Sequence, residues 1–229
     1  MEMSPMLTTR TTARRSALMA TLTLLIAAAV VTERASARAA EPAKASSGIE
    51  PSNRWLDGLK AKHKQFFDAP APGGGIPLVH VMNYYDTYNK AFNVKDADID
   101  AVLTFYGSTT FHGLSDAAWS KYALGEFLDV KDASGKPLTA NPWRAAPEIL
   151  GMTLAPASIE ALQKRGATFI LCNNALEIFS GMLAQKRGLD AKVVYEDLKS
   201  NILPGVELVP AMVIAIEQAA RAGLSYHRQ

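Results

Sequence analysis

The chain of 229 residues has one cysteine, Cys172, which excludes an intramolecular disulfide framework and any zinc or iron–sulfur site built from several cysteines. It also has little net charge, +2 at neutral pH, and that excess is confined to one end. Five of the 24 basic residues (Arg10, Arg14, Arg15, Arg34 and Arg38) but only two of the 22 acidic ones (Glu2 and Glu33) lie in the first 40 positions. The other 189 residues therefore carry 19 basic and 20 acidic side chains. Neutralising a phosphate backbone takes a basic surplus that this part lacks, so nucleic acid is not an expected partner. Two motifs are missing as well. Gly73-Gly74-Gly75 is not followed by Gly-Lys-Ser, which argues against a phosphate loop, and Ser108, in Tyr106-Gly107-Ser108-Thr109-Thr110, lacks the Gly-x-Ser-x-Gly turn of a hydrolase nucleophile. What is present, 48% hydrophobic and 20% charged residues, suffices for the packed core of one domain.

The N-terminal 40 residues read as a signal peptide. Arg14 and Arg15 precede an uncharged run, Ser16 to Val31, and small residues follow it in Ala35-Ser36-Ala37 and Ala37-Arg38-Ala39, where a peptidase would cut. The run of 16 residues falls short of the roughly 20 that a spanning helix needs, so no stable membrane span is expected after cleavage. The paired arginines resemble a twin-arginine export signal, although Ala17 and Met19 stand where that motif has an aromatic or Leu and a Lys. This resemblance implies a bacterial protein exported already folded into the periplasm.

Residues 41–53 are small, polar and flanked by proline, and are expected to form a flexible linker. Trp55, Leu56, Leu59, His63, Phe66 and Phe67 recur at three- and four-residue intervals, which predicts an amphipathic helix. A Pro- and Gly-rich connection ends this N-terminal unit at residue 75. From 76 to 229 short β-like runs alternate with helical ones, the pattern of an α/β fold with a mainly parallel sheet between helical layers. The expected strands are Leu78 to Met82, Ala101 to Tyr106, Ala167 to Leu171 and Val206 to Val209, with Lys192 to Tyr195 and Leu224 to His227 as short or edge strands. The expected helices are Asp86 to Asn93, Ser115 to Gly125, Pro156 to Arg165, Ala175 to Arg187 and Ala211 to Ala222. Val130 to Glu148, broken by glycine and prolines, reads as a long irregular connection, either covering a site or serving only as a surface loop.

In parallel α/β sheets ligands meet the carboxyl edge, where helix N-termini present unpaired amides. On this reading the first strand delivers Asn83, the second Ser108, Thr109, Thr110 and His112, and the third Cys172, Asn173 and Asn174. Cys172 lies between an apolar strand and a helix start, where first-turn amides, with Asn173 or Asn174, favour a thiolate. A lone cysteine after a buried strand also serves as a small core residue. His112 is the candidate proton-transfer or hydrogen-bonding partner, and Asn83, Ser108, Thr109 and Thr110 are candidate ligand donors. His80 and His112 lack a third ligand at characteristic spacing, so neither metal nor cofactor is expected.

Cys172-Asn173-Asn174-Ala175-Leu176, then Leu203-Pro204-Gly205-Val206-Glu207-Leu208-Val209-Pro210-Ala211, then Gly223-Leu224-Ser225-Tyr226 resemble, in this order, the DsrE/DsrF-like family. The β/α pattern carries the resemblance over roughly residues 76 to 228, and its motifs fall between residues 167 and 226. It implies a three-layer α/β fold, a homo-oligomer and, as in the sulfur-relay members, a persulfide-carrying cysteine, which here is Cys172. The expected partner is then a small sulfur species. The rival expectation is a non-catalytic periplasmic module that binds another small molecule or serves in assembly, with a structural cysteine. The export leader, the helix expected at Trp55 to Phe67 and the insertion at Val130 to Glu148 depart from the relay proteins.

Overall fold

The computed structural model describes residues 51–229; the expected leader and the linker through residue 50 lie outside the described residues. In chain order the elements are β1 (His63–Asp68), α1 (Ile76–Phe92), β2 (Ile99–Phe105), α2 (Asp116–Lys121), α3 (Leu124–Phe127), the small pair β3 (Glu148–Ile149) and β4 (Met152–Thr153), α4 (Ile159–Lys164), β5 (Thr168–Cys172), α5 (Asn173–Arg187), α6 (Ala191–Ser200), β6 (Val206–Val209), α7 (Met212–Arg221) and β7 (Ser225–Arg228). The main sheet runs β6-β5-β2-β1-β7 and every neighbouring pair is parallel. Helices cover both faces, giving the expected α/β/α sandwich.

The strand order explains the unequal layers. From β1 to β2, β5 and β6 the chain steps in one direction across the sheet, and right-handed crossovers then keep the intervening helices on one face. The step from β6 to β7 reverses, which sends α7 to the other face. Alternation along the strands records the two sides. Phe67, Leu103, Phe105, Phe169 and Leu171 join one buried cluster with residues of α1, α4 and α5. Phe66, Val102, Ile170, Cys172 and Val209 join a second with Trp55, Leu59 and the inner stripe of α7, Met212, Ala215 and Ala219.

Three expected elements differ. The helix expected over Trp55 to Phe67 is instead a short 3₁₀ turn at Arg54–Leu56 followed by β1, a strand placed between β2 and β7. Phe66 and Phe67 are both buried, on opposite faces, so the run lacks the polar alternation that marks a half-exposed strand. Leu78 to Met82 is not a strand but part of α1, which starts behind Gly75 at φ 89°, has Pro77 in its first turn and ends at Asn93 in the left-handed region. Leu78, Val81 and Tyr85 form its buried stripe. Lys192 to Tyr195 lies within α6, capped by the Asp190 side chain accepting from the Val193 amide at 2.9 Å. The edge strand at the C-terminus forms as β7 beside β1.

Candidate functional site

The carboxyl edge gathers the chain after Asp68, Phe105, Cys172, Val209 and Arg228. Cys172 closes β5 and serves as the N-cap of α5. Its Sγ accepts from two main-chain amides, that of Ala175 at 3.4 Å and that of Met212 at 3.3 Å, so the first turns of α5 and α7 converge on one sulfur atom. The side chain is 5% exposed and packs in the α7-side cluster. Asn173 turns away from it: its Oδ1 accepts from the Tyr195 hydroxyl at 2.7 Å. Asn174 is exposed.

Neighbouring strands put further polar side chains on this face. Phe105 is paired with Leu171, so the next residues, Tyr106 and Cys172, stand side by side at the ends of adjacent strands. Asp68, fully buried at the end of β1, accepts from the Tyr226 hydroxyl at 2.5 Å and from Arg228 Nη1 at 3.4 Å. Hydrogen bonding to Asp68 raises the Tyr226 hydroxyl above the ordinary phenol range. Burial first, and Asp68 second, do the same to Tyr106. The edge therefore runs from a sulfur held by amides to a buried carboxylate flanked by two protonated tyrosines. The helix expected over Trp55 to Phe67 leaves Asp68 in the connection that follows it. A strand reading of His63 to Asp68, closed by Pro70, would have delivered it to the edge.

Two of the three hydroxyls expected to bind ligand, those of Thr109 and Thr110, are spent on the turn Gly107–Gly113. Thr109 Oγ1 donates to the Ala69 carbonyl oxygen at 2.6 Å and accepts from the Tyr106 amide at 3.1 Å, tying the ends of β1 and β2 together. Thr110 Oγ1 donates to the Gly107 carbonyl oxygen at 2.7 Å. Ser108 is exposed, and its amide donates to the Pro70 carbonyl oxygen at 2.9 Å. Gly107, at φ 59°, lies so near Pro70 that a Cβ there would come within 2.8 Å of the Pro70 oxygen. Asn83 does not reach this edge; it sits on α1 in a shallow groove with His80, Tyr84 and His227. His80 is likewise helical, with Nδ1 2.5 Å from Gln229 Oε1 and its ring stacked on His227.

His112 is not a partner of Cys172. Its ring is 1% exposed and packs against Trp119 and Trp143, which belong to the core on the opposite face of the sheet. Burial lowers its pKa to about 3, only partly opposed by the Thr109 backbone, so the imidazole is neutral at neutral pH. The ring lines a cavity beneath the segment 130–149, the long connection expected either to cover a site or to serve only as a surface loop. Among the described residues no three His, Cys, Asp or Glu side chains converge as a metal-binding set, and no described helix is long and apolar enough to cross a membrane.

Neither protein-family models nor curated proteins match this chain. The chemistry of its side chains must therefore carry the functional reading.

Proposed function

We propose that this chain is an exported, periplasmic DsrE-like protein that accepts and passes on sulfane sulfur at Cys172, and that it works as a homo-oligomer. The carrying observation is the pair of main-chain amides, from the starts of two different helices, that donate to one sulfur atom. Such donors stabilise the negative charge of a thiolate, the form of cysteine that attacks sulfur. The order of motifs around Cys172, Leu203 to Ala211 and Gly223 to Tyr226 supports the same reading. In the step, the Cys172 thiolate attacks the outer sulfur of a donor persulfide, R–S–SH. A new S–S bond forms at Cys172, the donor's S–S bond breaks and R–S⁻ leaves, so no external oxidant or reductant is consumed. The reading needs no metal or cofactor.

Intact-mass measurement after incubation with glutathione persulfide tests it. The mature chain is expected to gain one sulfur atom, and Cys172→Ser to gain none. No adduct on the unsubstituted chain, or one that survives the substitution, removes the proposal.

The burial of Cys172 favours a second reading, in which the sulfur only caps α5 and the protein binds a small molecule elsewhere. Alkylation of the native thiol separates the two. Rapid labelling is expected for a sulfur carrier, and labelling only after unfolding for a structural cap.

A further inference from the structure

We infer that the cavity beneath residues 130–149 is a second binding site, for an organic cation that carries an ammonium group on an apolar body. The cavity holds about 700 Å³, within the range of small-molecule pockets, and Cys172 does not line it. Its buried lining includes Gly75 from the loop after β1, Trp143 and Pro147 from the covering segment, and Ile149 from β3. Its exposed lining includes two carboxylates, Asp132 and Glu148.

The covering segment is tied to the fold beneath it. Asn141 Nδ2 donates to the carbonyl oxygens of His112 (2.7 Å) and Leu114 (2.8 Å), while its Oδ1 accepts from the Trp143 amide at 3.0 Å. Near its end, the Pro147 carbonyl oxygen accepts from the Leu154 amide at 2.8 Å, and β3 pairs with β4. A cavity braced in this way is largely formed before a ligand arrives, which lowers the cost of binding.

Charge defines the ligand. The cations that line the cavity are Lys131 and Arg144, and both are held by carboxylates outside the lining. Lys131 pairs with Asp129 at 2.6 Å, and Arg144 with Asp116 at 2.7 Å and Glu160 at 2.6 Å. The two lining anions have no cationic partner among the described residues. Asp132 Oδ1 accepts from the Ser134 amide (2.8 Å), the Ser134 hydroxyl (2.7 Å) and the Lys136 amide (3.0 Å), and Glu148 Oε1 accepts from the Thr153 hydroxyl at 2.8 Å. Hydrogen bonding from Ser134 holds the Asp132 carboxyl below its ordinary range, so it is ionised at neutral pH. An anionic ligand would meet these charges with no free cation to offset them. An ammonium group is attracted by both, and more strongly where ligand and protein displace water, while its apolar body covers Trp143 and Ile149. A bare metal ion does not fit, because no three metal-ligating side chains converge among the described residues.

Calorimetric titration of the full-length protein with 4-phenylbutylammonium, and with 4-phenylbutanol and 4-phenylbutyrate as neutral and anionic counterparts, tests the inference. The ammonium compound is expected to bind at least tenfold more tightly than either counterpart. Its advantage should shrink as salt rises, since the Debye length falls from about 10 Å at 0.1 M to about 3 Å at 1 M. Asp132→Asn combined with Glu148→Gln keeps the acceptor oxygens and removes both charges, and is expected to abolish the preference for the ammonium compound. Ala140→Trp, at an exposed position of the lining, is expected to block binding while leaving the sulfur adduct at Cys172 unchanged, and it decides the matter should the double variant fail to fold. No heat with the ammonium compound, equal affinity for a counterpart, a preference that survives the double substitution, or binding undiminished in Ala140→Trp overturns the inference. Each does so whatever happens at Cys172.

Discussion

Arg165 ties the end of α4 to α1 and to the turn before β2 through charge. It follows the last residue of α4, and its guanidinium meets both oxygens of Asp96 (2.9 and 3.2 Å), Asp86 Oδ1 (2.6 Å) and Asn89 Oδ1 (2.8 Å), while lying over the Tyr85 ring. Hydrogen bonding to Arg165 is the main cause that holds the Asp86 and Asp96 carboxyls below their ordinary range. Carboxyls depressed in the folded state contribute stability that is fully present above their unfolded value, about 4, and lost as pH falls through the folded values. Both aspartates are about one-third exposed, so solvent screens the pairs. Arg165→Ala is expected to cost about 1–2 kcal/mol at pH 7. Below about pH 4 the gap to the unsubstituted protein should narrow, as read by urea unfolding at each pH. Equal losses at pH 7 and pH 3 would show that packing on Tyr85, not charge, carries the effect. Residue-scale reading of the sequence succeeded where punctuation is local: the strand expected over Ala167 to Leu171 and the helix expected over Ala175 to Arg187 form as β5 and α5, shifted by a residue or two where they meet at Cys172. It did not pair His112 correctly, because the turn after β2 carries His112 under Trp119 while alternation along β5 points Cys172 to the other face.

Among the elements, the segment 130–149 depends on one glycine in α3. Gly125 is buried, its carbonyl oxygen accepts from the Val130 amide at 2.8 Å, and a Cβ built on it would lie 2.1 Å from the Leu138 carbonyl oxygen. Both contacts are with backbone, which has no rotamer with which to yield. Gly125→Ala is expected to destabilise by about 3 kcal/mol, the upper end of overpacking costs, despite a helix-propensity gain of about 1 kcal/mol. Thermal unfolding measures the loss, and limited proteolysis should find new cuts between residues 130 and 149. An unchanged melting temperature with no new cuts would show that α3 and the segment shift apart freely. The misread elements share one cause. In β1 both faces are buried, and in the first turns of α1 apolar residues crowd together, so a short hydrophobic run carries no period that separates strand from helix. Length and breakers decide such cases. Seventeen residues without an internal break after Pro77 identify α1, and Pro70, Pro72 and three glycines close β1.

At the scale of the molecule, α7 covers its side of a five-stranded sheet together, among the described residues, with the segment around Trp55 and Leu59. Met212 is buried against the sheet, but Val213 and Ile214, 73% and 43% exposed, face outward. The proposed homo-oligomer gives these side chains a partner surface. Sedimentation velocity at micromolar concentration is expected to find more than one copy per particle, with Val213→Lys shifting it to a single copy at unchanged melting temperature. A single copy for the unsubstituted chain removes the oligomer from the proposal and leaves the chemistry at Cys172 untouched. The sequence by itself determined the layered α/β class, the C-terminal strands β5, β6 and β7 with helices α5 and α7, and the placing of Cys172 between a strand and a helix, because alternation, proline and glycine act on neighbours along the chain. Only the tertiary structure decided that β1 belongs in the sheet, that Asp68 and Tyr226 meet, and that Cys172 and His112 are parted by the sheet between them. Those relations come from strand order and the reversal before β7, which bring together residues as far apart in sequence as 68 and 226 and which no local period encodes.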